Sequence, residues 1–129
     1  MELLSIALLV FISYTVFQQI YRKFYPKMVS KEVVSQVQNA IKANSVFVAS
    51  KTYCPYCQAT LATFDQLGVK PYVLQLNTLQ EGSEIQDYLR ELTGQSTVPN
   101  IFINGEHIGG NSDLQELKSL DKLEKLLKL

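Results

Sequence analysis

Val33, Val34, Val37 and Ile41 recur at helical spacing behind Ser30, and predict a helix capped by that serine and stopped near Asn44. Val46 to Ser50 is a short, nearly all-apolar run of strand length. Leu61, Phe64 and Leu67 return to a helical period, and Gly68 marks its end. Tyr72 to Leu76 predicts a second strand. Ser83 opens a further helix carrying Ile85, Tyr88, Leu89 and Leu92, which Gly94 ends. Asn100–Ile103 and Glu106–Ile108 predict strands joined at Asn104-Gly105, a dipeptide suited to a type I′ hairpin turn. Ser112 or Asp113 caps a last helical region with Leu114, Leu117, Leu120, Leu123 and Leu127, a row whose spacing points to core packing. The order is α-β-α-β-α-β-β-α. The first two strands and the helix between them form a βαβ unit, parallel and right-handed. The expected class is α/β: a small four-stranded mixed sheet with helices on both faces.

The pattern at the N-terminus is different. Leu3 to Phe17 holds fifteen residues without a charge, and the apolar character continues to Tyr21, nineteen residues in all. That is close to the roughly 20 residues that span a bilayer. Arg22, Lys23 and Lys27 follow it, which by the positive-inside rule leaves the rest of the chain facing the cytosol. A cleaved secretory signal fits poorly, because Glu2 stands where a basic region belongs and no small-residue cleavage site follows. A transit peptide fits poorly too, the segment being too apolar and poor in arginine. Residues 1–28 are thus expected to be a targeting or membrane-anchor segment, and residues 29–129 one folded domain. Met28 stands where a second start would give a short cytoplasmic form. The long form would be membrane-anchored facing the cytosol, or mitochondrial.

Composition narrows the function. Twelve basic and twelve acidic residues balance, so nothing favours a nucleic-acid partner. The chain has two cysteines, Cys54 and Cys57, both in the run Lys51-Thr-Tyr-Cys-Pro-Tyr-Cys57. A bridge between them would close too small a loop to staple a fold. Zinc needs four ligands, and His107 is distant and alone, so no metal is expected. A C-x-x-C beside a βαβ pattern reads as thiol–disulfide chemistry. Cys54 would stand at a helix N-terminus, where unpaired N–H groups favour the attacking thiolate, with Lys51 as a nearby cation. Pro55 suits the first helical turn. Cys57, one turn deeper, would be the resolving thiol. Two further elements carry chemistry. Thr97-Val98-Pro99 precedes a strand; a cis bond there would turn the Val98 backbone outward to pair with an extended peptide. Gly109-Gly-Asn-Ser-Asp113 allows close backbone approach in front of a helix N-terminus, a place for an anion.

The three elements together closely resemble the dithiol glutaredoxins, small thioredoxin-fold proteins, from about Val34 to the C-terminal helix. Cys-Pro-Tyr-Cys separates the chain from thioredoxins, which carry Cys-Gly-Pro-Cys, and from monothiol relatives that lack the second cysteine. The resemblance implies a thioredoxin-like fold and a glutathione-dependent oxidoreductase, a monomer, with glutathione as cosubstrate and glutathionylated or disulfide-bonded proteins as partners. It implies that Cys54 forms the mixed disulfide and Cys57 resolves it. Lys51 and Gln86 would hold the glycyl carboxylate of glutathione. Tyr56 would line the groove. Thr97, Val98 and Pro99 would pair with the cysteinyl part. Gly110, the Ser112 backbone and the Asp113 carboxylate would take the γ-glutamyl end. Ser96 and Gln58 stand where many relatives carry basic residues, which implies weaker or less salt-sensitive glutathione binding. The alternative implied by the family is a dimer holding a glutathione-ligated [2Fe–2S] cluster, against which Pro55 argues.

Overall fold

The computed structural model of the chain describes residues 1–24 and 29–129. Lys27, Met28 and the boundary between the two expected segments fall outside these residues. Helix α1 runs Glu2–Phe24, with no buried residue and Arg22 and Lys23 in its last turn. Ten further elements follow Ser30: α2 (Lys31–Ala43), β1 (Val46–Ser50), α3 (Pro55–Gln66), β2 (Tyr72–Gln75), a 3-10 turn (Leu76–Thr78), α4 (Gly82–Thr93), β3 (Asn100–Ile103), β4 (Glu106–Gly109), α5 (Asn111–Ser119) and α6 (Leu123–Leu127).

The sheet has the order β2-β1-β3-β4. β1 pairs parallel to β2 and antiparallel to β3, and β3 pairs antiparallel to β4. β1 and β3 are buried along their whole length, as central strands covered on both faces must be. Their alternating side chains feed two cores. Phe47, Ala49, Leu74 and Phe102 pack with Val33, Val37 and Ile41 of α2 and Ile85 and Leu89 of α4. Val46, Val48, Ile101 and Ile103 pack with Phe64 of α3, Leu114 of α5 and Leu123 of α6. The apolar pattern predicts this mixed sheet with helices on both faces, and its arrangement is the thioredoxin-like α/β fold that the resemblance implies.

Local chemistry explains most element ends. The Ser30 hydroxyl accepts from the Val33 N–H at 3.3 Å and caps α2, with Asn44 at its far end. Gly94 closes α4 in the left-handed region. Asn104 and Gly105 take φ of 51° and 80°, as a type I′ turn requires.

Four expectations need correction. β2 stops at Gln75, and Leu76 starts the 3-10 turn, dropping its side chain into the α2/α4 core. α4 starts at Gly82, not Ser83, because Gly82 packs directly on the Leu76 carbonyl, where any Cβ would collide. Gly110 is the N-cap of α5. Neither Ser112 nor Asp113 caps it; Asp113 lies in the first turn and reaches back to the cap. The last helical region is two helices, α5 and α6, broken near Asp121, which adopts φ 56°. The break leaves Leu120 exposed and turns Leu123 inward.

Candidate active site

β1, a central strand, delivers the chain to a corner at its carboxyl end. The Thr52 N–H donates to Asn77 Oδ1 at 3.0 Å, and Asn77 Nδ2 returns a bond to Thr52 Oγ1 at 2.7 Å. The Cys54 N–H donates to the Lys51 carbonyl at 3.1 Å. This turn sets Cys54 as the N-cap of α3 in extended backbone, with Pro55 at the first helical position. The Cys57 N–H then donates to Cys54 Sγ at 3.2 Å. A sulfur does here what a serine or aspartate oxygen does at an ordinary N-cap, and an anionic sulfur would do it better.

Both cysteines are free thiols. Cys54 is part-exposed, whereas Cys57 is fully buried. Burial pushes the Cys57 thiol above its ordinary value of 9.0, and its hydrogen bond with Cys54 adds to the rise; the Lys51 backbone and the Ser50 hydroxyl act the other way.

The Val98-Pro99 peptide is cis. The Val98 carbonyl lies 3.8 Å from Cys54 Sγ, which donates to it as a thiol. Side-chain amides brace this loop. Gln86 Nε2 donates to the Ser96 carbonyl at 2.8 Å, and Gln95 Nε2 donates to the carbonyls of Thr97 at 3.1 Å and Pro99 at 2.8 Å.

The third element closes the site from the other side. Gly109 adopts φ 120°, and a Cβ there would land on the Asp113 carboxylate. Asp113 Oδ2 accepts from the Gly110 N–H at 2.9 Å. Gly110 has no side chain to cap the helix, so no side-chain acceptor occupies the first N–H groups of α5. Asn111 ties this end to α3: its Oδ1 accepts from Thr60 Oγ1 at 2.9 Å and from Gln115 Nε2 at 3.1 Å. Gln115 Nε2 also donates to Thr63 Oγ1 at 2.8 Å.

Tyr56, Thr97, Val98, Pro99, Gly110, Asn111 and Ser112 line one open cleft of about 440 Å³ beside Cys54. Six of these residues stand out in the sequence. Asn111 and its partners Thr60, Thr63 and Gln115 do not. Thr60 and Thr63 follow Cys57 at steps of three on the buried side of α3. A polar residue repeating on a helix's inward face is the signal that marks them. Lys51, Gln86 and Asp113 do not line the cleft. Gln86 is occupied with Ser96, and Asp113 with Gly110. Among the described residues, no cluster of three or more His, Cys, Asp or Glu is placed to hold a metal ion. His107 Nε2 lies 2.8 Å from Asn100 Oδ1, and its ring packs against Phe102.

Residues 46–108 match the glutaredoxin family model. Glutaredoxin-1 of Saccharomyces cerevisiae is 58% identical over 104 residues, covering 78% of this chain and 94% of that protein. Glutaredoxin-1 of Rhizophagus irregularis is 44% identical over 96 residues, covering 74% of this chain and 95% of its own. Among solved structures, a buckwheat glutaredoxin–glutathione complex superposes with a TM-score of 0.74 at 40% identity, over 76% of this chain and 89% of that one. Two cysteines at the cap and first turn of α3, a cis-proline loop facing them, and matches on this scale agree: the chain belongs to the glutaredoxin family, as a dithiol member with glutathione-dependent thiol–disulfide oxidoreductase activity.

Proposed function

We propose that Cys54 is the nucleophile of this oxidoreductase and Cys57 its resolving thiol. The observation that carries the assignment is the asymmetry of the pair. Cys54 is reachable, and its sulfur already accepts an N–H bond that would strengthen on ionisation. Cys57 is fully buried, and burial opposes its ionisation. The Cys54 thiolate attacks the glutathione sulfur of a glutathionylated protein. The S–S bond breaks, the protein's sulfur leaves as thiolate and takes a proton, and glutathione remains on Cys54. A second glutathione thiolate then attacks that sulfur, forming glutathione disulfide and freeing Cys54. With a disulfide-bonded protein, Cys57 attacks Cys54 in the mixed disulfide and expels the reduced client; two glutathiones later reduce the Cys54–Cys57 bond.

The cleft suits a tripeptide with an anion at each end and one ammonium. Tyr56 forms a wall, Thr97, Val98 and Pro99 offer an edge to the cysteinyl part, and Gly110, Ser112 and Asp113 meet the γ-glutamyl end. The open N–H groups of α5 favour its carboxylate, and Asp113, with a second oxygen, its ammonium. Lys51 and Gln86 would take the glycyl carboxylate. Gln86 would serve while bracing Ser96, since an amide nitrogen has two protons to give.

The reading extends to the whole chain. Residues 1–28 form an anchor segment and residues 29–129 a monomeric catalytic domain on the cytosolic side. Helix α1 has 23 residues, roughly 35 Å at about 1.5 Å per residue, enough to cross the ~30 Å hydrocarbon core. Its surface is mostly apolar and none of its residues is buried, and Arg22 and Lys23 mark the cytosolic end. Protease added to permeabilised cells with intact organelles should digest the domain; protection would place it inside a compartment, as a mitochondrial matrix form requires.

The thiol assignment is tested on the reduced full chain in detergent, mixed with glutathione disulfide and read by intact mass. The Cys57→Ser variant should accumulate one glutathione, mapped to Cys54. Wild type should pass on to an internal disulfide, and Cys54→Ser should gain nothing at matched times. An adduct mapped to Cys57 in wild type overturns the assignment.

A further inference from the structure

The place where the chain enters its folded domain decides which end of that domain an anchor holds. Asn44 and Ser45 alone join α2 to β1, so the helix packs back along the strand. Val33, Val37 and Ile41 of the helix meet Phe47 and Ala49 of the strand in one core. The first turn of α2 therefore lies at the carboxyl end of β1, the end from which Lys51 to Cys54 emerge. β2 runs parallel to β1, so the 3-10 turn and the start of α4 lie at that end too. Hydrogen bonds tie these starts together. The Ser30 N–H donates to Glu84 Oε1 at 2.6 Å, in the first turn of α4. Two residues further along that helix, Gln86 braces the Ser96 carbonyl of the cis-proline loop. Val29 and Val98 pack against the same core, and the Val98 carbonyl lies 3.8 Å from Cys54 Sγ. The entry point of the chain and its reactive sulfur share one end of the sheet.

Little chain separates that end from α1. Four residues, 25–28, connect Phe24 to Val29. Five Cα–Cα steps reach at most about 18 Å when fully extended. A domain of about 100 residues is roughly 35 Å across. An active site at the far end would stand about 50 Å from the anchor with the tether extended. One at the tethered end stays well short of that however the domain pivots. The same end presents Tyr53 and Tyr56, both exposed, on either side of Cys54-Pro55. Tyrosine is a residue type that sits well at the headgroup level of a bilayer.

We propose that the anchored chain acts on cysteines held close to the membrane surface: disulfides and glutathione adducts in the cytosolic juxtamembrane segments of membrane proteins. The exchange itself is unchanged. Glutathione passes from the client sulfur to Cys54, the client leaves as thiolate and takes a proton, and a second glutathione removes the first as glutathione disulfide. The tether selects the client. A client sulfur within its reach meets Cys54 at high effective concentration, and one beyond its reach does not. Small glutathione disulfides diffuse to the site wherever it stands. The proposal rests on the reading of α1 as a membrane anchor.

The test uses the full chain in phosphatidylcholine vesicles, together with a transmembrane helix that continues outward as a stiff stalk of Glu-Ala-Ala-Ala-Lys repeats. The stalk carries one glutathionylated cysteine, either at the headgroups or about 40 residues up, a height of about 60 Å. Loss of glutathione from each stalk is followed at equal surface density. Wild type should discharge the low cysteine at least about tenfold faster than the high one. Inserting about 30 glycines and serines after Lys27 adds a flexible span of about 30 Å, and should bring the two rates within about twofold. Wild type and the insertion variant should turn over a small glutathione mixed disulfide alike. Equal wild-type rates at the two heights, or a faster rate at the upper one, overturn the proposal. So does a tenfold preference that survives the insertion, since the tether would then not be its cause. Flotation of the vesicles is scored before the kinetics. A wild type that does not float with them defeats the anchor, and this proposal with it; a floated chain without a height preference defeats this proposal alone.

Discussion

The backbone N–H of Cys57 points at the sulfur of Cys54, 3.2 Å away, so Cys54 caps the helical turn that carries its partner before any bond joins them. The chain between them is the first turn of α3, started by Pro55. One peptide group thus holds the sulfur proposed as the nucleophile, and the same turn sets its separation from Cys57.

That asymmetry has a direct chemical readout. Iodoacetamide at neutral pH should label Cys54 well before Cys57, since Cys57 is both fully buried and held protonated. Peptide mapping of a time course checks the order. Labelling of Cys57 in the Cys54→Ser variant should stay slow at pH 7 and speed up as pH rises beyond 9.

The same burial links folding to pH. The Cys57 thiol sits above its ordinary value of 9.0 in the folded dithiol, so the folded state keeps that proton where the unfolded chain has lost it. The contribution is therefore fully present below about pH 9 and is lost as pH rises through the raised value. Urea midpoints of the reduced protein from pH 7 to 10 should fall with a steeper slope for wild type than for Cys57→Ala. Parallel slopes would mean that burial does not hold the proton.

Gly109 combines a left-handed backbone with no room for a side chain. It adopts φ 120°, and its missing Cβ is where the Asp113 carboxylate lies. Gly109→Ala should cost about 1–3 kcal/mol of stability from backbone strain alone. It should also displace Asp113 from the Gly110 N–H and raise the KM for glutathione severalfold. Chemical denaturation and steady-state kinetics measure the two effects separately.

The Thr60–Asn111 hydrogen bond is a milder lever. Thr60→Val keeps the shape of the side chain and removes the donor. Asn111 Oδ1 still accepts from Gln115, so no buried acceptor is orphaned, and the cost should be about 0.5–1.5 kcal/mol. A loosened N-terminus of α5 should raise the KM for glutathione a few-fold with kcat nearly unchanged.

Features governed by neighbours along the chain were legible in the sequence. The Asn104-Gly105 turn needs two positive φ angles, and those two residues supply them at little cost. The buried strands Val46–Ser50 and Asn100–Ile103 announce themselves as apolar runs. Features set by distant contacts were not. Gly82 starts α4 because the Leu76 carbonyl leaves no room for a side chain, and nothing local to Gly82 says so. Leu76 reads as strand but turns into the core. At the site, the cleft gathers Tyr56, Thr97, Val98, Pro99, Gly110 and Ser112, all of them legible. Asn111 was not legible, because its partner Thr60 lies on another helix and helical periodicity carries no sign of a part-buried polar pair between two helices.

The most direct test of the account is turnover of a small glutathione mixed disulfide by the full chain in detergent, coupled to glutathione reductase. Wild type is set beside Cys54→Ser and Cys57→Ser. Cys54→Ser should lose all turnover above the uncatalysed rate, and Cys57→Ser should keep it, because removing glutathione from the substrate needs one thiol. Full activity in Cys54→Ser, or its loss in a folded Cys57→Ser protein, would contradict the roles assigned to the two sulfurs.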